Sequence, residues 1–272
     1  MFRFVSFALV ALSICVEAIE IHGHRGCRGM RPENTLAAFE AATEAGVDVL
    51  ELDLHVTSDG VIVIHHDDAI DGKLIKDLPL SAIKKVDCGS QFNPEFPMQV
   101  LAPAQIPTLQ ELFDLVRDKK VRLNLEIKHN PTRPNATISP KELAHTIVKF
   151  VQSQGYSNRI YYSSFSPELL KEIRALDSKA RIIFIFGKES LNFAKAFSPQ
   201  NPIKLIVNIA NSFQAEALAP EHVLLDQAAV TVLKKAGLKV IPWTVNEKER
   251  AHALVKMGVD GLISDYPQTI LH

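Results

Sequence analysis

DVLELDLHVTSDGVIVIHHD, residues 48–67, is typical of a β-hairpin, because two apolar runs flank a turn at Asp59 and Gly60. Glu51 and Asp53 are two residues apart on the first arm, so both side chains point to one face of the strand. A two-residue loop brings His66 opposite Asp53, whereas a register shifted by one residue brings His65 there. Two carboxylates and an imidazole in one place predict a functional site; the alternative is an exposed polar hairpin.

The composition is that of an ordinary globular protein. The 272 residues are 47% hydrophobic and 22% charged, which is enough apolar chain for one large domain or two small ones. The formal net charge is −1, so no basic field attracts nucleic acid, and no nucleic-acid partner is expected.

The first 18 residues, MFRFVSFALVALSICVEA, predict a secretory signal peptide. Arg3 precedes an apolar run of 13 residues, 4–16, and the small Ala18 ends the segment. We expect cleavage after Ala18, a mature chain that begins near Ile19, and export to the periplasm or the medium. The alternative is a buried first helix. The apolar run is too short to span a bilayer, so no stable membrane insertion is expected.

Export leaves two cysteines, Cys27 and Cys88, in the mature chain. An oxidising compartment permits a disulfide between them, and two free, partly buried thiols are the alternative. The sequence does not decide between the two, because a disulfide depends on the distance between the Cα atoms.

Strand patterns alternate with helical patterns along most of the chain. Eight strands are expected at residues 19–24, 49–54, 121–128, 159–165, 181–186, 204–209, 238–245 and 261–265. Helices are expected at 35–46, 108–118, 139–155, 166–175, 191–197, 228–237 and 246–257, the first of them capped by Asn34 or Thr35. Such alternation predicts a parallel sheet, and eight strands in about 254 mature residues match a (β/α)₈ barrel. An open doubly wound sheet is the alternative.

Residues 69–106 interrupt this alternation between the hairpin and the next barrel strand. They are rich in proline, glycine and other turn residues, and they predict a small insertion with one short helix near 80–86. Long connections in compact domains are often lids or binding walls.

Polar side chains recur at the carboxyl ends of the predicted strands, which face one mouth in a barrel. Charged residues inside strands are unfavourable unless they are paired or bind a ligand, so their convergence predicts a site. The set comprises His22, His24, Glu51, Asp53, His66, Glu126, Lys128, Trp243 and Asp265. Among them His22 is expected to be structural or exposed.

Three of these residues, Glu51, Asp53 and Glu126, offer an all-oxygen site that suits Mg²⁺ or Ca²⁺ better than Zn²⁺. Three carboxylates and one divalent ion leave a charge of −1, and Arg25 and Lys128 change it to +1, which matches a bound monoanion such as a phosphodiester. The histidines then remain free for proton transfer.

These residues belong to an ordered set of motifs: HRG (24–26), PENT (32–35), ELD (51–53), DG (59–60), HD (66–67), EIK (126–128), WTVN (243–246), GVDG (258–261) and DYP (265–267). In order and spacing the chain resembles the glycerophosphodiester phosphodiesterase family over about residues 21–270. One departure is residues 68–72, DAIDG, where many members have an Arg-Thr-Thr run.

The resemblance implies a (β/α)₈ barrel enzyme, a phosphoric diester hydrolase that converts glycerophosphodiesters to sn-glycerol 3-phosphate and an alcohol. It implies His24 and His66 as the acid/base pair, which favours the hairpin register with His66. It also implies one divalent cation on Glu51, Asp53 and Glu126, phosphate contacts from Arg25 and Lys128, and a substrate-side role for Trp243, whose alternative is barrel packing.

Two other functions compete with this hydrolase. One is a related barrel phospholipase, of the lysophospholipase D or cyclising type, which acts on membrane lipids and needs an exposed apolar docking loop; residues 92–98 are the candidate. The other is a catalytically silent barrel that binds a phosphate or a sugar. The intact set of histidines, carboxylates and arginine argues against the silent barrel.

Overall fold

A parallel sheet of eight strands forms the centre of the structure, a computed structural model that describes residues 19–270. The predicted signal peptide, residues 1–18, lies outside the described residues. The strands over this range are β1 (Glu20–Gly23), β2 (Val49–Val56), β3 (Ile62–Ile64), β4 (Ala69–Ile70), β5 (Lys73–Leu74), β6 (Arg122–Ile127), β7 (Ile160–Ser164), β8 (Arg181–Phe186), β9 (Ala217–Pro220), β10 (Lys239–Val240) and β11 (Gly261–Ser264). The helices are α1 (Leu36–Glu44), α2 (Leu80–Ile83), α3 (Leu109–Leu115), α4 (Pro140–Ser153), α5 (Pro167–Leu176), α6 (Lys188–Phe197), α7 (Pro202–Ser212), α8 (Gln227–Lys235) and α9 (Lys248–Met257).

The sheet closes on itself. Its strand order is β10-β9-β8-β7-β6-β2-β1-β11, with β3 antiparallel on β2. The last gap is bridged by backbone hydrogen bonds: Ile263 donates to the Pro242 carbonyl and accepts from the Val245 amide, each at 2.9 Å. The fold is therefore the predicted (β/α)₈ barrel and not the open sheet.

Side chains that accept hydrogen bonds from the backbone begin several of the outer helices where the sequence predicts. Thr35 caps α1 and Ser166 caps α5. Thr108 and Ser139 form capping boxes with Glu111 and Glu142, so each box satisfies two backbone amides at the start of α3 or α4. These polar signals are local, which is why the sequence predicts them well.

Alternation along the strands separates two apolar layers. On β2, Leu50, Leu52 and Leu54 belong to the large core under the helices. Glu51 and Asp53, which lie between them in the sequence, therefore point into the barrel interior.

The predicted strand at residues 204–209 is wrong. This stretch lies inside helix α7, where Ile206, Val207 and Ala210 are buried and Lys204 and Asn208 are exposed. That pattern has helical periodicity, and its β-branched residues suggested a strand. The sixth barrel strand is β9, a four-residue segment whose alanines gave little strand signal.

The prediction of a two-residue loop in the hairpin is also wrong. Leu54 pairs with Ile64, and Thr57 donates to the Val61 carbonyl at 2.9 Å, so the loop holds three residues, 58–60. Gly60 ends it with φ of 80°, the left-handed conformation that this kind of loop needs. The shift puts the amide of His65, and not of His66, on the Asp53 carbonyl.

The insertion folds around a small apolar cluster of Val63, Ile70, Ile75, Ile83 and Ile106. It contains the predicted short helix, α2, and also a two-stranded hairpin, β4-β5, that the sequence did not predict. Its later part covers the loop after β1: the side-chain amide of Gln99 donates to the carbonyls of Arg28 and Arg31, at 2.6 and 3.0 Å. The insertion therefore supports the segment that carries His24.

Cys27 and Cys88 are both free in the described structure. The thiol of Cys27 donates to the Gln268 side chain, and that of Cys88 donates to the Ala104 carbonyl, each at 3.3 Å. Of the two alternatives, the structure selects two separate thiols.

Ion pairs fill the amino-terminal end of the barrel. Glu20 contacts His22 Nε2 and Arg122, each at 2.6 Å, and Arg181 pairs with Glu216 at 2.7 Å. His22 is fully buried, in agreement with a structural role. In (β/α)₈ barrels the residues at this end contribute to stability, whereas catalytic residues lie at the other mouth.

Glu20→Gln should lower the free energy of unfolding at pH 7 by about 1–3 kcal/mol, because Arg122 and His22 lose a charged partner. Burial raises the pKa of Glu20, but His22 and Arg122 outweigh it and lower the pKa to about 2. The stabilisation is therefore complete above the ordinary value of 4.5 and lost as the pH falls towards 2. Urea unfolding at pH 7 and at pH 3 measures the loss of unfolding free energy and its dependence on pH.

The exposed Glu40 on α1 provides the control, since Glu40→Gln should change little at either pH. An equal loss for Glu20→Gln at both pH values would contradict the pairing.

Candidate active site

Three carboxylates meet inside the carboxyl-terminal mouth of the barrel. β2 supplies Glu51 and Asp53, β6 supplies Glu126, and Asp53 and Glu126 are register partners on these adjacent strands. One oxygen of each lies within 4.8 Å of the others, and the three residues are at most 9% exposed. The sequence prediction that these residues converge is correct.

The electrostatics of the three carboxylates are uneven. Burial and the charges of Asp53 and Glu126 hold the pKa of Glu51 well above its usual range. Burial acts in the same sense on Asp53, but Lys128 and Arg25 outweigh it and hold the pKa of Asp53 well below its usual range. The positive charges of Lys128 and Arg25 therefore compensate Asp53, whereas negative charge remains in excess around Glu51.

Arg25 and Lys128 lie against the carboxylates. The Lys128 ammonium is 2.7 Å from Asp53 and 2.6 Å from Glu126, and Arg25 Nε is 3.3 Å from Asp53. The Arg25 amide donates to Glu51 at 2.8 Å. Arg25 has φ of 50°, and Gly26 follows with φ of 87°, where a Cβ would lie 2.7 Å from Ala38; the turn thus requires the glycine of HRG.

His24 follows β1 and is held by an acid from the last strand of the barrel. Its Nδ1 is 2.6 Å from Asp265, and its Nε2 is 3.9 Å from Glu51. Asn246 donates to the other Asp265 oxygen at 2.7 Å and accepts from the Asp265 amide at 3.0 Å. Asp265 thus fixes the ring so that Nε2 faces the carboxylates.

His66 lies beyond the end of β3 and lines a cavity that Glu126 and Lys128 also line. Its Nδ1 contacts Asp67 at 2.8 Å. Burial and Lys128 lower the pKa of His66, against the charge of Asp53. His66 therefore reaches the site although the register that suggested it is wrong, because one more residue carries the chain from β3 to the mouth.

His55 lies on the outgoing arm of the hairpin, where the sequence favours a solvated side chain, but it is only 2% exposed, so that expectation is wrong. It continues the inward face of Glu51 and Asp53, and its Nε2 lies 3.4 Å from the His66 carbonyl. Alternation along β2 was the signal that could have found it.

Trp243 packs at the mouth. Its indole donates to the Ala219 carbonyl at 2.9 Å, and its ring meets Phe165 edge-on at 5.6 Å. It belongs with the apolar residues of the barrel interior. Its substrate-side role remains a prediction.

The donor set fits a hard divalent cation. The three ligands are carboxylates with excess negative charge at Glu51, which a cation would offset. Two further polar atoms point into the same interior: Asn124 Oδ1 next to Glu51 and Ser163 Oγ next to Glu126 in register. Both side chains are almost fully buried, and neither atom has a hydrogen-bond partner among residues 19–270. Such orphaned groups suit a site that holds a hydrated ion.

Asn34 is a site residue that the sequence suggested only as a helix cap. Its side-chain amide donates to Asp53 at 2.7 Å, and its φ of 57° puts it in the left-handed region that asparagine tolerates. The helix cap is Thr35. The role of Asn34 depends on a contact between separate strands and loops, so the local pattern gives no signal for it.

A closed parallel barrel whose carboxyl-terminal mouth holds a carboxylate cluster, two cations and a histidine–aspartate pair has the architecture of a barrel enzyme. The sequence profile of the glycerophosphoryl diester phosphodiesterase family matches residues 24–269. The chain belongs to this family.

The relatives of the chain agree with this assignment. The glycerophosphodiester phosphodiesterase of Caldanaerobacter subterraneus subsp. tengcongensis is 32% identical over 254 residues, which cover 92% of this chain and 95% of that protein. An Oleispira antarctica phosphodiesterase, solved in complex with the product sn-glycerol-3-phosphate, has a TM-score of 0.76 and 27% identity, covering 92% and 94% of the two chains. The Thermotoga maritima glycerophosphodiester phosphodiesterase shares the fold, with a TM-score of 0.68, 24% identity, and coverage of 92% and 96%.

Asp265→Asn should lower kcat by about 10²-fold. The new amide cannot accept from both His24 and Asn246: it either loses one bond or donates to His24 Nδ1, which moves the ring proton to Nε2. The kcat for glycerophosphocholine and its pH profile measure the effect. Binding of Ca²⁺ should be unchanged, since Asp265 is outside the carboxylate cluster; an unchanged kcat would contradict the positioning role.

Proposed function

We propose that the protein hydrolyses glycerophosphodiesters to sn-glycerol 3-phosphate and an alcohol, with a divalent cation on Glu51, Asp53 and Glu126 and with His24 and His66 as acid and base. The observation that carries the proposal is the buried carboxylate cluster with His24 held beside it by Asp265. The product complex of the Oleispira relative supports the same substrate class.

The charged residues of the site would favour a negatively charged substrate. A cation held by the three carboxylates would, when bound, offset negative charge on the phosphoryl oxygens. Arg25 and Lys128 add two positive charges at the same place and favour a monoanionic diester over a neutral substrate. Mg²⁺ and Ca²⁺ both suit an oxygen-only set of ligands.

Hydrolysis needs one proton removed from the attacking oxygen and one delivered to the leaving oxygen as the P–O bond to the alcohol breaks. The Nδ1 atoms of both histidines are engaged by carboxylates, Asp265 for His24 and Asp67 for His66. Each ring therefore has Nε2 available for a transfer. The lowered pKa of His66 favours its neutral form, which accepts a proton, so we assign the base to His66 and the acid to His24.

Export belongs to the proposal as well. It rests on the leader pattern of residues 1–18, an arginine, an apolar run and a small residue before Ile19. A secreted form that kept Met1 would contradict it. In the described residues, none of the helices is both long and apolar enough to cross a membrane.

Chelation should abolish activity, and Mg²⁺ or Ca²⁺ should restore it. Glu126→Gln should weaken metal binding by at least about 10–100-fold, the range seen when even an outer residue of a metal site is lost. Calorimetric titration and the metal-induced rise in Tm measure binding apart from activity. Glu40→Gln on the surface of α1 is the matched control. Full activity after exhaustive chelation would exclude the metal role.

His24→Ala and His66→Ala should each lower the rate on glycerophosphocholine by roughly 10²–10⁴-fold. The acid matters less when the leaving alcohol is already acidic. His24→Ala should therefore recover much of its lost rate on the glycerol phosphodiester of p-nitrophenol, whereas His66→Ala should not. Recovery by His66→Ala alone would exchange the two roles, and near-normal rates for both variants would exclude the assignment.

A further inference from the structure

One cavity of about 950 Å³ opens from the catalytic mouth and extends well beyond it. Its near end is lined by His66, Glu126 and Lys128. From there it passes the start of α5 and reaches the space between α6, α7 and the outer side of β8. This volume lies at the upper end of the range for pockets that enclose drug-sized ligands, and a glycerophosphodiester of a small alcohol is much smaller.

Apolar side chains form most of the far part of this cavity, which we call the side chamber and define by Phe165, Pro167, Phe184, Phe193, Ile206 and Ile209. Glu189 and Ser190 line it as well, at the start of α6, where Glu189 is exposed to solvent. Phe184 is 3% exposed and Ile206 is 2% exposed, so the inner wall is deeply buried. Phe193 is 58% exposed and lies towards solvent. Against Phe184 and Ile206 themselves a cationic or hydroxylated group would lose hydration, whereas a hydrocarbon chain would bury apolar surface.

The two flanks of the carboxylate cluster also differ in polarity. His24, Arg25 and Asp265 lie on the flank that the cavity does not reach, and there the side chains are polar and paired. The free hydroxyls of the glycerol arm need hydrogen bonds, so this polar flank suits the glycerol arm. The opposite arm of the diester, the leaving alcohol, then points towards the side chamber.

We propose that the side chamber binds a hydrocarbon chain carried by the leaving alcohol, so that the preferred substrates are glycerophosphodiesters of alkyl-bearing or acyl-bearing alcohols. The inference rests on the proposed function and names the substrate class of that site. The reaction is unchanged: water replaces the alcohol on phosphorus, and the alcohol leaves with one proton and its chain.

A homologous series of substrates isolates the chain. The sn-glycero-3-phosphoesters of ethanol, butanol, hexanol and octanol have leaving groups of similar acidity, so their chemical steps are matched. Measured below the concentration at which each ester aggregates, kcat/KM should rise by up to about fourfold per added methylene. We expect at least a tenfold rise from the ethyl to the hexyl ester. A flat or falling series would overturn the proposal.

Two variants locate the effect in the side chamber. Phe193→Ser removes an exposed part of its wall and should flatten the dependence on chain length. Phe92→Ser, a matched change at a 65% exposed phenylalanine on the insertion, should keep the full dependence. Equal slopes for both variants would overturn the location.

A third comparison tests on which side of the phosphorus the hydrocarbon chain is bound. A 1-acyl glycerophosphocholine carries its chain on the glycerol arm, and it should gain nothing over glycerophosphocholine. A large gain there would overturn the assignment to the leaving alcohol. If the ethyl ester is not hydrolysed at all with metal present, the proposed function itself fails, and the two failures are thereby distinguished.

Discussion

The repulsion between three buried carboxylates is the constraint on which the mouth of this barrel depends. Glu51, Asp53 and Glu126 lie within a few ångströms of one another, and a protein interior tolerates such a cluster only if cations offset it. Lys128 and Arg25 do so for Asp53, while burial and the charges of Asp53 and Glu126 raise the pKa of Glu51. The surrounding network, including Asn34 on Asp53 and the Arg25 amide on Glu51, holds the charges in place.

The barrel separates stability from chemistry along its axis. At the amino-terminal end, Glu20 pairs with His22 on its own strand and with Arg122 on β6, so each carboxylate there has a positive partner. At the carboxyl-terminal end, residues on the same inward faces of β2 and β6 form the acidic cluster. One alternation pattern therefore builds both ends, and the carboxyl-terminal end carries the carboxylates that could hold an ion.

The mouth is also asymmetric across its width. The loop after β1 carries His24 and Arg25, and Gln99 of the insertion binds the backbone of that loop. On the opposite side the cavity extends towards α6 and α7, where most of the lining side chains are apolar. A phosphodiester has two different arms, so a site with one polar flank and one largely apolar flank would orient it before any chemistry begins.

The amino-acid sequence by itself determined the barrel, most of the helix caps and the convergence of Glu51, Asp53 and Glu126, because alternation along strands and capping side chains are local patterns. The sequence pattern did not predict β9, because its alanines give little strand signal. It predicted a strand within α7, because the β-branched residues there favour a strand unless packing against neighbouring elements decides otherwise. Only the tertiary structure decided that His55 is buried, that Cys27 and Cys88 are separate, and that Asp265 orients His24 across 241 positions of sequence. Each of these depends on distances between elements far apart in the chain, and periodicity carries no information about such distances.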